Sequence, residues 1–99
     1  MTKLTLTDAD RRLKALPGWG RRALTIRRTF QFKRFMDGIE FVGRVAAAAE
    51  ASDHHPDVNI RWNKVTLALS THSEGGLTAK DFSMARKCGL IFSRHFAPR

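Results

Sequence analysis

Cysteine occurs once in the 99 residues, at Cys88, and no stretch approaches the roughly 20 apolar residues that a membrane span needs. A lone thiol excludes an intramolecular disulfide and the zinc modules built on cysteine pairs, so Cys88 is expected as a buried structural thiol. The start, Met1 to Asp10, has two acidic residues and lacks the apolar core of a secretory signal, and a cytoplasmic protein is therefore expected. Zinc-finger spacing, an RNA-binding aromatic motif and a glycine-rich phosphate loop are also missing. Acidic residues are scarce: 9 stand against 18 Lys and Arg, giving a formal net charge of +9. Eleven of the 18 lie in the first 44 positions, among them Arg21, Arg22, Arg27, Arg28, Lys33 and Arg34. Such charge draws a protein toward polyanions or anionic substrates. With no readout motif behind it, specific nucleic-acid binding is not expected.

The length suits one hydrophobic core, hence a single domain over residues 1–99. Thr7 as N-cap and Asp10 predict a short helix over Asp8 to Ala15, ended by Pro17-Gly18. From Ala23, Leu24, Ile26, Arg28 and Phe30 alternate with Thr25, Arg27 and Thr29, as in a strand. Arg28 breaks the apolar parity, which places that strand near an edge or a subunit contact. Phe32, Phe35, Met36, Ile39, Val42, Gly43 and Ala46 then recur at helical spacing, opposite Lys33, Asp37, Glu40 and Arg44, and predict a helix of about five turns. Phe41 and Val45 widen its apolar surface and suggest a second packing partner, such as another subunit. After Pro56, the alternations of Val58, Ile60 and Trp62 and of Val65, Leu67 and Leu69 predict a hairpin turning at Asn63-Lys64. Thr78, Asp81, and Leu77 facing Phe82 carry the start signature of a last helix, with Arg94 to Arg99 a short frayed end. The expected class is α+β: an antiparallel sheet of three or four strands with helices packed on one face.

Chemistry concentrates in Glu50, Asp53, His54, His55, Pro56 and His72. Adjacent histidines at a helix end, in a segment held by proline, point in different directions. The hairpin returns His72 to the loop where its first strand began. An unperturbed histidine titrates at about 6.5, so both protonation states are accessible near neutrality and general acid/base catalysis is the natural use. Asp53 or Glu50 are placed to orient an imidazole. Zinc held by three histidines is the alternative, but adjacent ligands are sterically awkward around one ion. Surface histidines with no catalytic part are the other possibility.

The run Glu50, His54-His55-Pro56, Trp62, His72 and Asp81 resembles the pterin-4a-carbinolamine dehydratase family: seven positions of distinct chemistry match over 32 residues without a gap. Pro17-Gly18-Trp19, Phe32 to Met36, Asn63-Lys64-Val65, Ser70-Thr71-His72 and Gly76-Leu77-Thr78 extend the likeness from about Asp8 to Phe96. The resemblance implies dehydration of 4a-hydroxytetrahydropterin to quinonoid dihydropterin, regenerating the cofactor of aromatic amino acid hydroxylases, without metal or organic cofactor. It implies His54 and His72 as the acid/base residues and His55 as the ring that holds the pterin. Trp19 would flank the pocket, Glu50, Asp53 and Thr71 would contribute to substrate binding or position the histidines, and Asp81 and Pro56 would support them. It also implies a homodimer or homotetramer and a functional coupling to a hydroxylase. Some relatives are similar to dimerisation cofactors of transcription regulators, so a basic homo-oligomeric binding module on the same fold is the alternative function. Glu74 stands where animal members often have cysteine.

Overall fold

A computed structural model describes residues 2–96. Its elements are α1 (Leu6–Leu13), β1 (Gly20–Arg22), β2 (Thr25–Gln31), α2 (Phe35–Ser52), β3 (Asp57–Arg61), β4 (Lys64–Leu69) and α3 (Ala79–His95), with a 3-10 turn at His72–Glu74. The four strands form one sheet in the order β1-β2-β4-β3, every neighbouring pair antiparallel. This is the expected α+β class, with four strands. Ile26, Phe30, Val65, Leu67 and Leu69 point from β2 and β4 into the core, where they meet Phe41, Val45 and Ala49 of α2 and Met84, Ala85 and Cys88 of α3. Alternation along each strand leaves the opposite face polar and bare. Among the described residues, no helix is long and apolar enough to cross a membrane.

Several boundaries differ from the sequence expectation. The first helix begins two residues early because Thr5, not Thr7, is the N-cap, its hydroxyl accepting the Asp8 N–H at 3.1 Å. The helical stripe of α2 is also rotated. Phe41 and Val45 are core residues, packed with Gly38 and Ala49, whereas Phe35 and Met36 are exposed. Alanines and a glycine on both sides of this helix gave either stripe an apolar reading, and the fit under the sheet selected the one with Phe41. Phe41 and Val45 are therefore unavailable to another subunit.

The hairpin turns at Trp62-Asn63, one residue before the expected place. Trp62, at φ 52°, takes the left-handed position that Asn63 was expected to fill. Asn63 is instead drawn inward, its Nδ2 donating to the Phe32 carbonyl at 2.7 Å while its own carbonyl accepts the Phe32 N–H at 2.9 Å. β2 lies next to the short edge strand β1, whose pairing stops at Arg27, so Arg28 is near the sheet edge as expected, with its guanidinium 4.2 Å from the Phe30 ring centroid and 5.4 Å from that of Phe92. The cation thus covers the aromatic core while its head stays partly wet. Arg94 and His95 continue α3, and Phe96 packs on Phe32 at 5.5 Å, so the expected fraying does not begin at Arg94. The rest of that expected end, 97–99, lies outside the described residues.

Candidate active site

The geometry of the site starts at the end of α2. Asp53 caps the helix in the left-handed conformation, φ 49° and ψ 44°, and its N–H reaches the Ala49 and Glu50 carbonyls. That reversal, followed by Pro56 at the entry to β3, sends the two adjacent histidines different ways. His54 turns inward: its side chain is 11% exposed and its Nε2 lies 2.6 Å from Oδ1 of the fully buried Asp81. His55 remains exposed, with Nε2 bonded to the Glu50 carboxylate one helical turn back. A carboxylate only accepts, so in each pair Nε2–H is the donor and Nδ1 is left free for other chemistry.

Asp81 occupies the third position of α3 and closes the capping box that the sequence signature predicts. Its Oδ2 accepts the Thr78 N–H at 2.9 Å. The same oxygen accepts the Thr71 hydroxyl at 2.8 Å, and the Thr71 and Thr78 hydroxyl oxygens are 2.9 Å apart. One buried carboxylate therefore joins His54, the start of α3 and Thr71, the residue immediately before His72. Every buried side-chain polar atom among the described residues has a partner, so the network is complete. His72 opens the 3-10 turn, which Gly75 ends at φ 69° with its N–H on the His72 carbonyl at 3.1 Å. The imidazole of His72 is exposed.

His55 and His72 meet at one cleft of about 40 Å³, lined also by Thr25, Asp57, Ala68, Leu69 and Ser70. The hairpin brings those two rings together, but the convergence expected of all three histidines does not include His54. His54 lines a separate depression of about 260 Å³ with Lys80, Ser83, Met84 and Lys87 among its neighbours. Its connection to His72 runs through Asp81 and Thr71. Glu50 and Asp53 lie at the helix end beside the histidines, Thr71 is part of the buried network, and Pro56 is half-buried at the entry to β3. Trp19 belongs to the hydrophobic core, edge-on to Phe30 at 6.2 Å. Among the described residues, no three or more His, Cys, Asp or Glu side chains are grouped as a metal site.

Sequence reasoning did not single out Thr25, Asp57 or Ser70 as cleft residues. Asp57 and Ser70 flank the histidine motifs and were within reach of a local signal. Thr25 had none, because only the pairing of β2 with β4 carries it there.

The model of the family described as Pterin 4 alpha carbinolamine dehydratase matches residues 2–91. A relative from Mycobacterium sp. (strain KMS), provisionally named a pterin-4-alpha-carbinolamine dehydratase, is 52% identical over 94 residues, covering 95% of this chain and 100% of the relative. A relative from Roseiflexus sp. (strain RS-1) with the same provisional name is 52% identical over 90 residues, covering 91% of this chain and 97% of its own. Among solved structures, one described as a transcriptional coactivator/pterin dehydratase from Brucella Melitensis superposes with a TM-score of 0.87 at 39% identity, covering 91% of this chain and 98% of that one. A pterin dehydratase-like protein identified as a RuBisCO assembly factor in the alpha-carboxysome has a TM-score of 0.61 at 18% identity, covering 74% and 84%, a likeness of fold alone.

Proposed function

Because the chain belongs to the pterin 4 alpha carbinolamine dehydratase family, we propose that it converts 4a-hydroxytetrahydropterin to quinonoid dihydropterin and water by histidine general acid/base catalysis, without a metal, in regeneration of a hydroxylase cofactor. The observation that carries this proposal is the meeting of His55 and His72 at one cleft, with the buried Asp81 connecting Thr71 to His54 behind it.

Dehydration breaks the C4a–O bond. The hydroxyl leaves as water once it receives a proton, and a ring nitrogen supplies its lone pair to form C=N as its N–H proton passes to a base. His72, exposed at the cleft, is the direct candidate for delivering the proton. His54, its ring fixed by Asp81, is the second acid/base group on the family resemblance, since it lines a depression separate from the cleft. His55, oriented by Glu50, holds the pterin. Asp53 and Thr71 are proposed to position the histidines; Trp19 is a core residue that does not line the cleft, and a part for it beside the pterin rests on the family resemblance alone. Substrate positioning and proton transfer together suit a reaction with no redox change; general acid/base groups contribute roughly 10² to 10⁴ in rate.

The exposed edge strand β3 and the exposed Phe35 and Met36 on α2 support a homodimer or homotetramer, as the family resemblance implies. The decisive experiment is a direct assay of 4a-hydroxytetrahydropterin dehydration by the purified chain before and after dialysis against a strong chelator. The expected outcome is a rate that the chelator leaves unchanged. A loss restored by zinc would overturn the metal-free mechanism, and no acceleration over the spontaneous reaction would overturn the function.

A further inference from the structure

The bare face of the sheet is organised in rows, and the rows lead away from the cleft. Strand register places Arg27, Ala68 and Asp57 side by side, then Thr29, Thr66 and Asn59, then Gln31, Lys64 and Arg61. The first row overlaps the cleft, since Ala68 and Asp57 line it together with His55 and His72. The second and third rows form the floor of an open basin of about 830 Å³, bounded at the hairpin by Trp62, which is 72% exposed. Neighbouring rows are two residues apart on each strand, so cleft and basin adjoin, and the small side chain of Ala68 leaves the boundary low. The distance from first to third row is about 13 Å.

The charge along this path is uneven. At the cleft end Asp57 and Arg27 flank Ala68 and offset each other, whereas the far row holds two cations and no acid. Arg61 and Lys64 stand directly opposite each other at the far end, an arrangement of like charges that destabilises an antiparallel pair when nothing neutralises it. Neither forms an ion pair among the described residues, although four other arginines have carboxylate partners. Between the two ends lie hydroxyls and amides, with the Thr29 and Thr66 oxygens 2.8 Å apart. A molecule with a hydrogen-bonding ring at the cleft end and negative charge at the far end matches this path.

We propose that this face seats an anionic tail on the pterin: the substrate class is 4a-hydroxytetrahydropterins whose side chain ends in carboxylates or phosphate. The ring lies at the His55 and His72 cleft, the linker crosses Ala68 and Thr66, and the tail reaches Arg61 and Lys64. This inference rests on the dehydratase proposal for the cleft, and its test keeps the two apart.

The test measures both binding and turnover for three pterins that share a ring: one with a neutral dihydroxypropyl side chain, one with a tail ending in a glutamate dicarboxylate, and one ending in a phosphate ester. Binding is measured by calorimetry with their unreactive 7,8-dihydro forms, and turnover with the 4a-hydroxytetrahydro forms. At low salt, at least one anionic pterin should bind about three- to tenfold more tightly than the neutral one. Arg61→Gln/Lys64→Gln should erase most of that ratio, while the charge-matched Arg44→Gln/Arg86→Gln on the helical side should keep it. Because the readout is a ratio, a general loss of activity cancels, and circular dichroism checks the fold. The anionic arm with the larger preference identifies the tail as carboxylate or phosphate. Equal affinities in the wild type, or equal falls in both double variants, overturn the inference even if all three pterins are dehydrated. A preference in binding without dehydration of any of them leaves the tail seat standing and removes the dehydratase proposal instead.

Discussion

His55 and His72 reach their cleft from different elements, one from the loop after α2 and the other from the 3-10 turn after β4, while His54 is clamped to Asp81. Their chemical roles separate in kinetics. A ring that only holds the pterin interacts about equally with ground and transition states, so its loss raises KM; a proton donor acts where the C–O bond breaks, so its loss lowers kcat. His55→Ala is expected mainly to raise KM. His54→Ala and His72→Ala are each expected to lower kcat by roughly 10- to 10³-fold. If either ring can protonate the hydroxyl from its own side, the double variant falls below the product of the single losses. A double variant with near-normal kcat and native circular dichroism would defeat the assignment.

At the same scale, burial pushes the Cys88 thiol up from 9.0 to about 12. Above pH 9.0 the unfolded chain releases this proton while the folded chain keeps it, so this contribution to stability is whole below pH 9.0 and is lost as pH rises toward about 12. Iodoacetamide at pH 8.5 is expected to label the native protein roughly 100-fold more slowly than the urea-unfolded chain. Equal labelling rates would mean that the thiol is accessible in the fold.

Among the elements, β3 is the one left most incompletely covered. Val58 and Ile60 point to the same side as the buried Leu67 and Val65 beside them, yet they remain exposed because β3 is the sheet edge and lies beyond the cover of the helices. An apolar edge of this kind is an available pairing surface, and natural proteins blunt such edges with charge or cover them. Ile60→Lys is therefore expected to shift a dimer or tetramer toward monomer in light scattering, with secondary structure retained. An unchanged mass, or a wild-type chain that is monomeric at micromolar concentration, would remove β3 from the interface. The capping box of α3 works at this scale too, since the carboxylate that starts the helix is also the anchor of His54. A helix start and an imidazole are thus placed by one side chain.

For the molecule as a whole, the +9 charge is expected to attract polyanions without a specific readout. Asp8, Asp10, Asp37 and Glu40 each pair with an arginine close by, so the excess positive charge is spread over surface that has little acid left to balance it. Binding to single-stranded DNA is expected at low salt, with log K falling by about 0.7 for each phosphate neutralised per tenfold rise in salt. Titration of a labelled oligonucleotide should show little association near 0.15 M. Sequence-selective submicromolar binding at that salt would favour the binding-module alternative.

Local rules made much of this protein legible from its sequence. The Thr78, Asp81, Leu77 and Phe82 signature was enough for the start of α3, because a cap satisfies backbone donors within one turn. Alternation was enough for β4, because its period of two persists over the whole strand. The His54-His55-Pro56 and His72 motifs pointed to the family for the same reason, being short runs of distinctive chemistry. The stripe of α2, the turn at Trp62-Asn63, the place of Arg28 and the parting of His54 from the His55 and His72 cleft were decided by the tertiary structure. In each, the local pattern allowed more than one arrangement, and the choice fell to partners distant in the chain: the sheet above Phe41, the Phe32 backbone for Asn63, the Phe30 and Phe92 rings for Arg28, and Asp81 for His54.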